Sequence, residues 1–527
     1  MTCKSLLITS TSVTFELVNQ AVYEVADPYD VWLNHQLVFK GISKNVCSLY
    51  GLQPDTTYEM NLVDSTGKRS SVNFQTATET ICLPVRRFGA KGDGMTDDTL
   101  AIQAAIMACP KGGRVLISAG TYSVKTLFLK SHMTLEIAKG ATLSYCMTAY
   151  EGAILPGYLS DSQNDDYYLG SWEGNPLDTY TALIQGIHVE QVNLIGEGLL
   201  EGNGVNWWEF PKVKRGAWRP RLLQLIHAKD VNVQGLTFQN SPSWTLHPLF
   251  SNHLNFLDLT IINPKDSPNT DGLNPESCRD VLIVGVYFSV GDDCIAIKSG
   301  KIYLGRRLKS ASEAITIRNC SMNFGHGAVV IGSEMAGGVK NIWVSQCRFH
   351  ETDRGLRIKT RRGRGQDGII DGITVKNIHM EGVLVPFVIN AFYFCDPDGH
   401  SDYVKTKDKL PVDDRTPYIG SLTFEAIRCT GIEISAGFFY GLPEQPIECL
   451  MLKNCDFAFA EDATSGYPAM MDDIPTYHRA GLMFNHVKTV MINRIQFQNV
   501  SGEKITLNHV EKVVMQHVDE KNGGQHH

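Results

Sequence analysis

Val281-Leu282-Ile283-Val284-Gly285-Val286-Tyr287-Phe288 sets its apolar side chains in the order apolar-x-apolar-x-x-apolar-x-apolar. Alternation over so few residues marks short strands. The pattern occurs upstream at Val231/Val233/Leu236/Phe238 and Leu254/Phe256/Leu259/Ile261. Downstream it returns at Ile315/Ile317/Cys320/Met322, Ile342/Val344/Cys347/Phe349 and Ile373/Val375/Ile378/Met380, and again at Leu450/Leu452/Cys455/Phe457 and Val490/Ile492/Ile495/Phe497. The first six copies start 23, 27, 34, 27 and 31 residues apart. A period of this length means a solenoid. The leucine/asparagine signature of leucine-rich repeats is missing, as are the tryptophan–aspartate marks and ~40–50-residue period of propellers. What remains is an all-β chain, wound as a right-handed parallel β-helix whose coils stack their apolar residues. The uneven spacing means loops of different length, and one face of such a solenoid usually carries the site.

The chain of 527 residues is 43% hydrophobic and 20% charged, which supports a large core. A net charge of −8 argues against a nucleic-acid binder. It also requires that any polyanionic ligand meet local positive charge. No apolar run approaches the ~20 residues of a membrane span, so no membrane partner is expected. The first residues, MTCKSLLITSTSVTFEL, lack a basic start followed by a long apolar run. A cytoplasmic location is therefore expected, the alternative being a secreted or periplasmic protein whose leader has been removed. The thirteen cysteines show no CxxC pair or zinc spacing. Cys320, Cys347 and Cys455 fall at core positions, which reads as buried free thiols in a reducing compartment.

Residues 1–80 read as a separate small β-sandwich, and 81–527 as the β-helix. Leu6-Leu7-Ile8, Val13–Leu17 and Val31-Trp32-Leu33 are short strands broken by polar turns. Leu52-Gln53-Pro54-Asp55-Thr56-Thr57-Tyr58 resembles the corner of fibronectin type III domains, where a tyrosine hydroxyl ties down nearby backbone. A linker is expected near Thr76–Pro84. A Gly/Asp-rich stretch from Phe88 to Thr99 then leads into a helix over Leu100–Ile106, with Asp97 or Asp98 as its N-cap. Such a helix would cover the open end of the solenoid.

Four motifs fall on consecutive coils: Asn269-Thr270-Asp271-Gly272, Gly291-Asp292-Asp293, Gly325-His326-Gly327 and Arg357-Ile358-Lys359. Asp271, Asp292, His326 and Arg357 follow one another at 21, 34 and 31 residues, each about one coil. Residues one coil apart lie ~5 Å apart across a parallel sheet. Three carboxylates, an imidazole and two cations thus converge. Crowded carboxylates can supply both an acid and a base, since like charges raise one pKa and leave the others ionised. Asp293 shares strand parity with the core-facing Ile295 and Ile297, so the strand must begin after a turn at Gly291. Arg354, Arg357, Lys359, Arg361, Arg362 and Arg364 form a basic run without an acid. Arg357, Lys359 and Arg361 alternate on a strand and would share one face toward an acidic ligand. Trp244 and His247 are candidates for further ligand contacts, as are Trp207, Trp208 and Asn203, with Tyr418 at the edge of the cleft.

The four motifs, in this order, resemble those of the polygalacturonases of glycoside hydrolase family 28. Ser267–Gly272, Val290–Gly300, Phe324–Gly327 and Gly332-Ser333-Glu334 carry the likeness, which extends over about residues 85–520. The resemblance implies inverting hydrolysis of α-1,4-galacturonosidic bonds in polygalacturonate or oligogalacturonides, with no metal or other cofactor. It implies that Asp292 is the general acid and that Asp271 and Asp293 activate the water. It further implies that His326 sets the protonation of the acid, while Asn269, Arg357 and Lys359 bind substrate. Arg361, Trp244 and His247 complete the expected binding set. A calcium-dependent pectate lyase on the same fold would need a carboxylate-bound metal and a strong base. A glycan-binding β-helix without activity would not need three aspartates. Two long excursions, about Tyr145–Thr181 and Phe394–Pro417, are expected to close the groove and make the enzyme exo-acting. Tyr150, Tyr158, Tyr167, Tyr168 and Trp172 lie in the first.

Overall fold

The repeat forms because each pair of strands is joined by a single residue in the left-handed region. These corner residues include Gly235, Asp258, Gly285, Asn319 and Asn377, with φ between 51° and 75°. Glycine, asparagine and aspartate tolerate that conformation best, which accounts for the two-residue break in the apolar pattern. The computed structural model describes residues 2–148, 152–160, 166–209 and 217–520.

The strands are parallel and in register from coil to coil. Phe238 pairs with Ile261, Ile261 with Phe288, Phe288 with Met322, and Met322 with Phe349. The column continues through Met380, Cys429, Phe457 and Phe497. Every apolar residue of the repeats quoted above is buried in one continuous core. Cys320, Cys347 and Cys455 are buried free thiols. A further copy of the repeat, Leu422/Phe424/Ile427/Cys429, sits between the coils of Ile373 and Leu450. It follows a long interruption of the pattern, where the excursion after Phe394 displaces the next copy along the chain.

The helix Thr99–Ala108 covers the first coil, burying Ile102, Ala105 and Ile106. Its start departs from the expected cap. Asp98 occupies the N-cap position, and its carbonyl accepts the N–H of Ile102 at 3.0 Å, but its side chain does not cap the helix; its carboxylate accepts the backbone N–H groups of Lys91 and Gly92. Asp97 accepts from Thr99 N at 3.0 Å. The solenoid begins inside the expected linker, because Cys82–Pro84 already pairs with Arg114–Leu116.

The N-terminal strands form two antiparallel sheets. One holds Cys3–Ile8, Val13–Leu17 and Val46–Leu49; the other holds Glu24–Leu33, Gln36–Lys44, Thr57–Asp64 and Arg69–Gln75. Phe15, Tyr29, Val31 and Leu62 are among the residues of their shared core. The hydroxyl of Tyr58 accepts the backbone N–H of Gln53 at 2.9 Å, so the corner is tied as the motif implies. This unit is cemented to the side of the solenoid. Val46 packs on Leu257 and Val284. Gln234, fully buried, donates to Thr14 Oγ1 and accepts from Ser12 Oγ. Glu16 is 2% exposed and accepts from Arg318 and Asn319. Burial alone would raise its carboxyl, but Arg318 and Lys4 outweigh burial and hold it below the usual range.

Glu16→Ala leaves Arg318 and Asn319 without their acceptor at a dry interface. Removing one partner of a buried ion pair costs on the order of 3–5 kcal/mol, and the lower end applies because Arg318 keeps some solvent. Calorimetry should show a lower Tm, with faster proteolysis of the connection at 77–81. A carboxyl depressed in the folded state contributes stability above the ordinary carboxylate range and loses it as pH falls. The wild-type advantage over the variant should therefore shrink toward acid pH. An unchanged Tm at neutral pH would mean that Glu16 does not hold the interface.

Candidate active site

One sheet of the solenoid carries Leu246–Leu249, Ile295–Ile297, Val329–Ile331 and Arg354–Lys359 on successive coils, bridged through Leu273. Ile295, Ile297, Val329, Ile331, Leu356 and Ile358 point into the core. Residues just before these strands, and those of opposite parity, line a cavity of about 450 Å³. The strand after Asp292 and Asp293 starts only at Ile295, which resolves the parity of Asp293. Gly291 meets the carbonyl oxygens of Ser267 and Pro264 so closely that a Cβ would lie 2.5 and 2.6 Å from them. On Gly327, one coil on, a Cβ would lie 2.5 Å from Val330 Cγ2. Gly325 has φ 79°, and a Cβ on it would strike the carbonyl oxygen of Asp292. The two glycines flanking His326 are thus needed for shape.

The three aspartates sit in different surroundings. Asp271 is buried and accepts from Asn274 Nδ2 at 2.7 Å. Burial pushes its carboxyl well above the usual range, and the charge of Asp292 pushes it further. Asp293 is 2% exposed. Its Oδ2 accepts from Lys359 Nζ at 2.8 Å, while Oδ1 is buried, makes no hydrogen bond within the described residues, and lies 4.0 Å from Arg357 Nη1. Asp292 is the most open of the three. Its Oδ1 meets His326 Nδ1 at 3.1 Å and the backbone N–H of Asp293 at 3.0 Å. Burial acts to raise Asp292, but the His326 bond and charge, then Lys359 and Lys298, hold it below the usual range. The same bond pushes His326 up to about 9. Of the two coupled carboxyls, Asp271 therefore holds a proton more tightly than Asp292, and His326 holds its proton more tightly than a free imidazole.

Asn269, Asp271, Asp292, Asp293, His326, Arg357, Lys359 and Trp244 all line the cavity. Arg361 and His247 do not. Arg361 follows the strand Arg354–Lys359 instead of continuing it, and its guanidinium is bound by Asp396 and Asp398. His247 is fully buried beneath Trp244, 2.9 Å from Glu276 Oε2. Arg362 is likewise committed to Glu444, and Arg364 to Asp396. The basic run thus does not form one face. Trp207 packs on Tyr180, Trp208 donates to the carbonyl of Ser241, and Asn203 donates to the carbonyl of Tyr145. Tyr418 faces Glu448. None of these four lines the cavity.

Other residues reach the site without having been expected there. Lys298 is buried, 2.9 Å from Glu334 Oε2 and 4.6 Å from the ring centre of Trp244. Lys301 and Arg354 add two more cations. Arg354 is held by the carbonyls of Tyr467 and Pro468, and Arg357 Nη2 lies 3.0 Å from Met470 Sδ. A third excursion, over 460–479, therefore forms part of the wall. The described lining holds five lysines and arginines, Lys298, Lys301, Arg354, Arg357 and Lys359, together with His326, against seven carboxyl groups. The expected positive field is replaced by close pairing: Lys298 neutralises Glu334, and Lys359 neutralises Asp293.

Both long excursions reach the cavity. Trp172 and Glu173 come from the first, and Cys395 and Asp396 from the second. Tyr158 and Tyr168 meet edge-on, with ring centres 6.1 Å apart. Tyr150 lies outside the described residues, and so does the side chain of Tyr167.

Comparison with known proteins gives these residues a family. The profile of Glycosyl hydrolases family 28 matches residues 164–410, and the profile Rhamnogalacturonase A/epimerase, pectate lyase-like, matches 83–145. A probable polygalacturonase of Vitis vinifera is 29% identical over 384 residues, 71% of this chain and 74% of that protein. An endo-polygalacturonase of Pectobacterium parmentieri is 31% identical over 320 residues, 58% of this chain and 74% of that protein. Among solved structures, the family 28 exopolygalacturonase of Yersinia enterocolitica superposes with a TM-score of 0.64 at 19% identity, covering 98% of this chain and 97% of its own. An identity above 30% across three quarters of a relative, with the same fold and the aspartates gathered in one cavity, places this chain in glycoside hydrolase family 28.

Proposed function

We propose that this family 28 enzyme hydrolyses the α-1,4-galacturonosidic bonds of polygalacturonate and oligogalacturonides, with inversion, from the chain end. The observation that carries this reading is the set of three aspartates in three electrostatic states within one cavity. Hydrolysis of a glycoside needs one carboxyl to protonate the leaving oxygen and a carboxylate to take a proton from water. Asp292, open to the cavity and bound to His326, is the proton donor. Asp271 and Asp293 lie deeper and receive the proton of the attacking water.

The free enzyme favours the opposite arrangement, since Asp292 is held below the usual carboxylate range and Asp271 is pushed well above it. Strongly interacting carboxyls titrate as one unit, so the question is where a shared proton rests. Lys359 and Lys298 help keep Asp292 ionised. A uronate bound against them offsets their charge and raises Asp292. The proton then moves from the buried Asp271 to Asp292, which arms the acid and frees the base in one transfer. Lys359 serves twice, fixing Asp293 and receiving the sugar carboxylate, while Arg357 offers a guanidinium suited to a carboxylate. The mouth supports exo action: Trp172 and Glu173 on one side and Cys395 and Asp396 on another narrow a groove that an endo enzyme leaves open.

Asp292→Asn removes the transferable proton. Turnover on polygalacturonate should fall at least ~100-fold, the scale of general acid catalysis, with Tm unchanged. Near-normal turnover by the folded variant would remove Asp292 from the acid role.

Lys359→Met and Arg357→Ala should separate in their kinetics. Loss of Lys359 releases Asp293, and misplacing a reacting group by about 1 Å costs on the order of 100-fold, so kcat falls. Arg357 touches no aspartate closer than 4.0 Å, so its loss should act chiefly on KM. Equal effects on kcat and KM in both variants would contradict this division.

Viscosity of polygalacturonate, followed against reducing ends released, tests the mode of attack. An exo enzyme releases many reducing ends before viscosity falls, and yields one short product. A steep early fall with mixed oligomers would make the enzyme endo-acting.

A further inference from the structure

The first excursion ends its approach to the cavity in a tight hairpin, Ser171–Trp172 paired with Asn175–Pro176. Three independent attachments hold it. Trp172 stacks on Trp218 and Trp244, with ring centres 4.2 and 4.7 Å away. The fully buried Arg221 lies over the rings of Trp172 and Trp244, at 5.6 and 5.5 Å, and donates to the carbonyl of Ser171. The turn itself sits on residue 301: Lys301 N–H donates to Gly174 O at 3.0 Å, and a Cβ on Gly174 would lie 2.5 Å from Lys301 N.

The side chain of Lys301 extends this seat. Its ammonium is 3.4 Å from Glu173 Oε2 of the hairpin and 2.9 Å from Asp396 Oδ1 of the second excursion. Asp396 is further fixed by Arg361 at 3.0 Å and Arg364 at 2.6 Å. Glu173, Lys301 and Asp396 all line the cavity. A continuous ionic chain thus runs from one excursion to the other through one lysine, 15% of whose side chain is exposed. The contact has a second consequence for an acidic polymer. A chain pushed past the hairpin would bring a uronate against the carboxylates of Glu173 and Asp396. A terminal sugar would instead present hydroxyl groups, which donate to carboxylates.

We propose that Lys301 is a specificity-determining latch: by joining Glu173 to Asp396 it fixes the hairpin as an end stop, and so sets how many uronate units fit beyond the scissile bond. This rests on the exo reading above. Lys301 is a positioning residue here, with no role in proton transfer.

The test uses the full chain and the product profile, which a merely structural role would not shift. Wild type, Lys301→Met, Lys301→Arg and Glu173→Ala are compared on polygalacturonate by anion-exchange chromatography and by viscosity per reducing end. Glu173 is about half exposed, so its variant keeps the test open should Lys301→Met fold poorly. Lys301→Met and Glu173→Ala should shift the products from one short species to a longer, mixed set, with a steeper viscosity loss. Lys301→Arg should restore the single product. If wild type yields one short product and both loss variants yield that same product, only more slowly, the latch is refuted and the exo reading stands. If wild type itself gives mixed mid-length oligomers, the exo reading falls and the latch falls with it.

Discussion

No coil of a parallel β-helix completes its own backbone hydrogen bonds; each depends on the coils to either side. The in-register column from Phe238 to Phe497 is the side-chain face of that dependence. Register follows from it as well. A slip by one residue would turn every core side chain outward, so a coil can accept an insertion at a corner but not within a strand. The catalytic geometry inherits this rigidity. Asp271, Asp292 with Asp293, His326 and Arg357 come from different coils, yet are held by one ladder of strands. The variable excursions around them change the shape of the cavity without moving the aspartates.

The fold was legible because its determinants are local and repeated. The apolar pattern names the core, and its glycine, asparagine and aspartate corners name the turns. The copy at Leu422 carries the same signal and was obscured only by the long insertion before it. The gathering of the aspartates, His326, Arg357 and Lys359 in one cavity was legible because coil spacing converts sequence distance into contact. Side-chain partners were harder. Arg361 has the parity of Arg357 and Lys359, but the strand ends at Lys359 and the next turn gives Arg361 to Asp396 and Asp398. His247 lies in a strand beside the cavity and is buried by the tryptophan meant to accompany it. The cationic lining had a partial signal in Lys298, which ends the stretch Ile295-Ala296-Ile297 after the aspartates. Lys301 and Met470 had none, since loop contacts are set by tertiary folding.

Charge in the cavity is organised by pairs instead of by a net field. Seven carboxyl groups face five lysines and arginines and His326 among the described lining residues, a balance that would repel a uronate if the charges acted independently. They do not. Burial pushes the Asp271 carboxyl toward its neutral form, Glu334 is neutralised by Lys298, and Asp396 is shared by Lys301, Arg361 and Arg364. What remains toward the cavity is then Asp292 with its histidine, Asp293 with its lysine, Asp353, the half-exposed Glu173, and the guanidinium groups of Arg354 and Arg357. In a partly desolvated cavity such local arrangements outweigh the overall charge of the molecule, which is screened beyond ~10 Å.

In the proposed mechanism that arrangement makes binding and activation one event. Lys359 holds Asp293 and, with Lys298, contributes to the low pKa of Asp292. A ligand that draws on these cations therefore weakens the ionised form of Asp292 as it binds. A neutral sugar of the same shape would fill the cavity without drawing that charge, and the proton would stay on Asp271. Selectivity for uronates then arises in the chemical step as well as in binding, because the substrate's own carboxylate completes the acid. The two excursions serve the same end. Both contribute residues to the wall of the cavity, and burial of charged groups there strengthens each of these interactions.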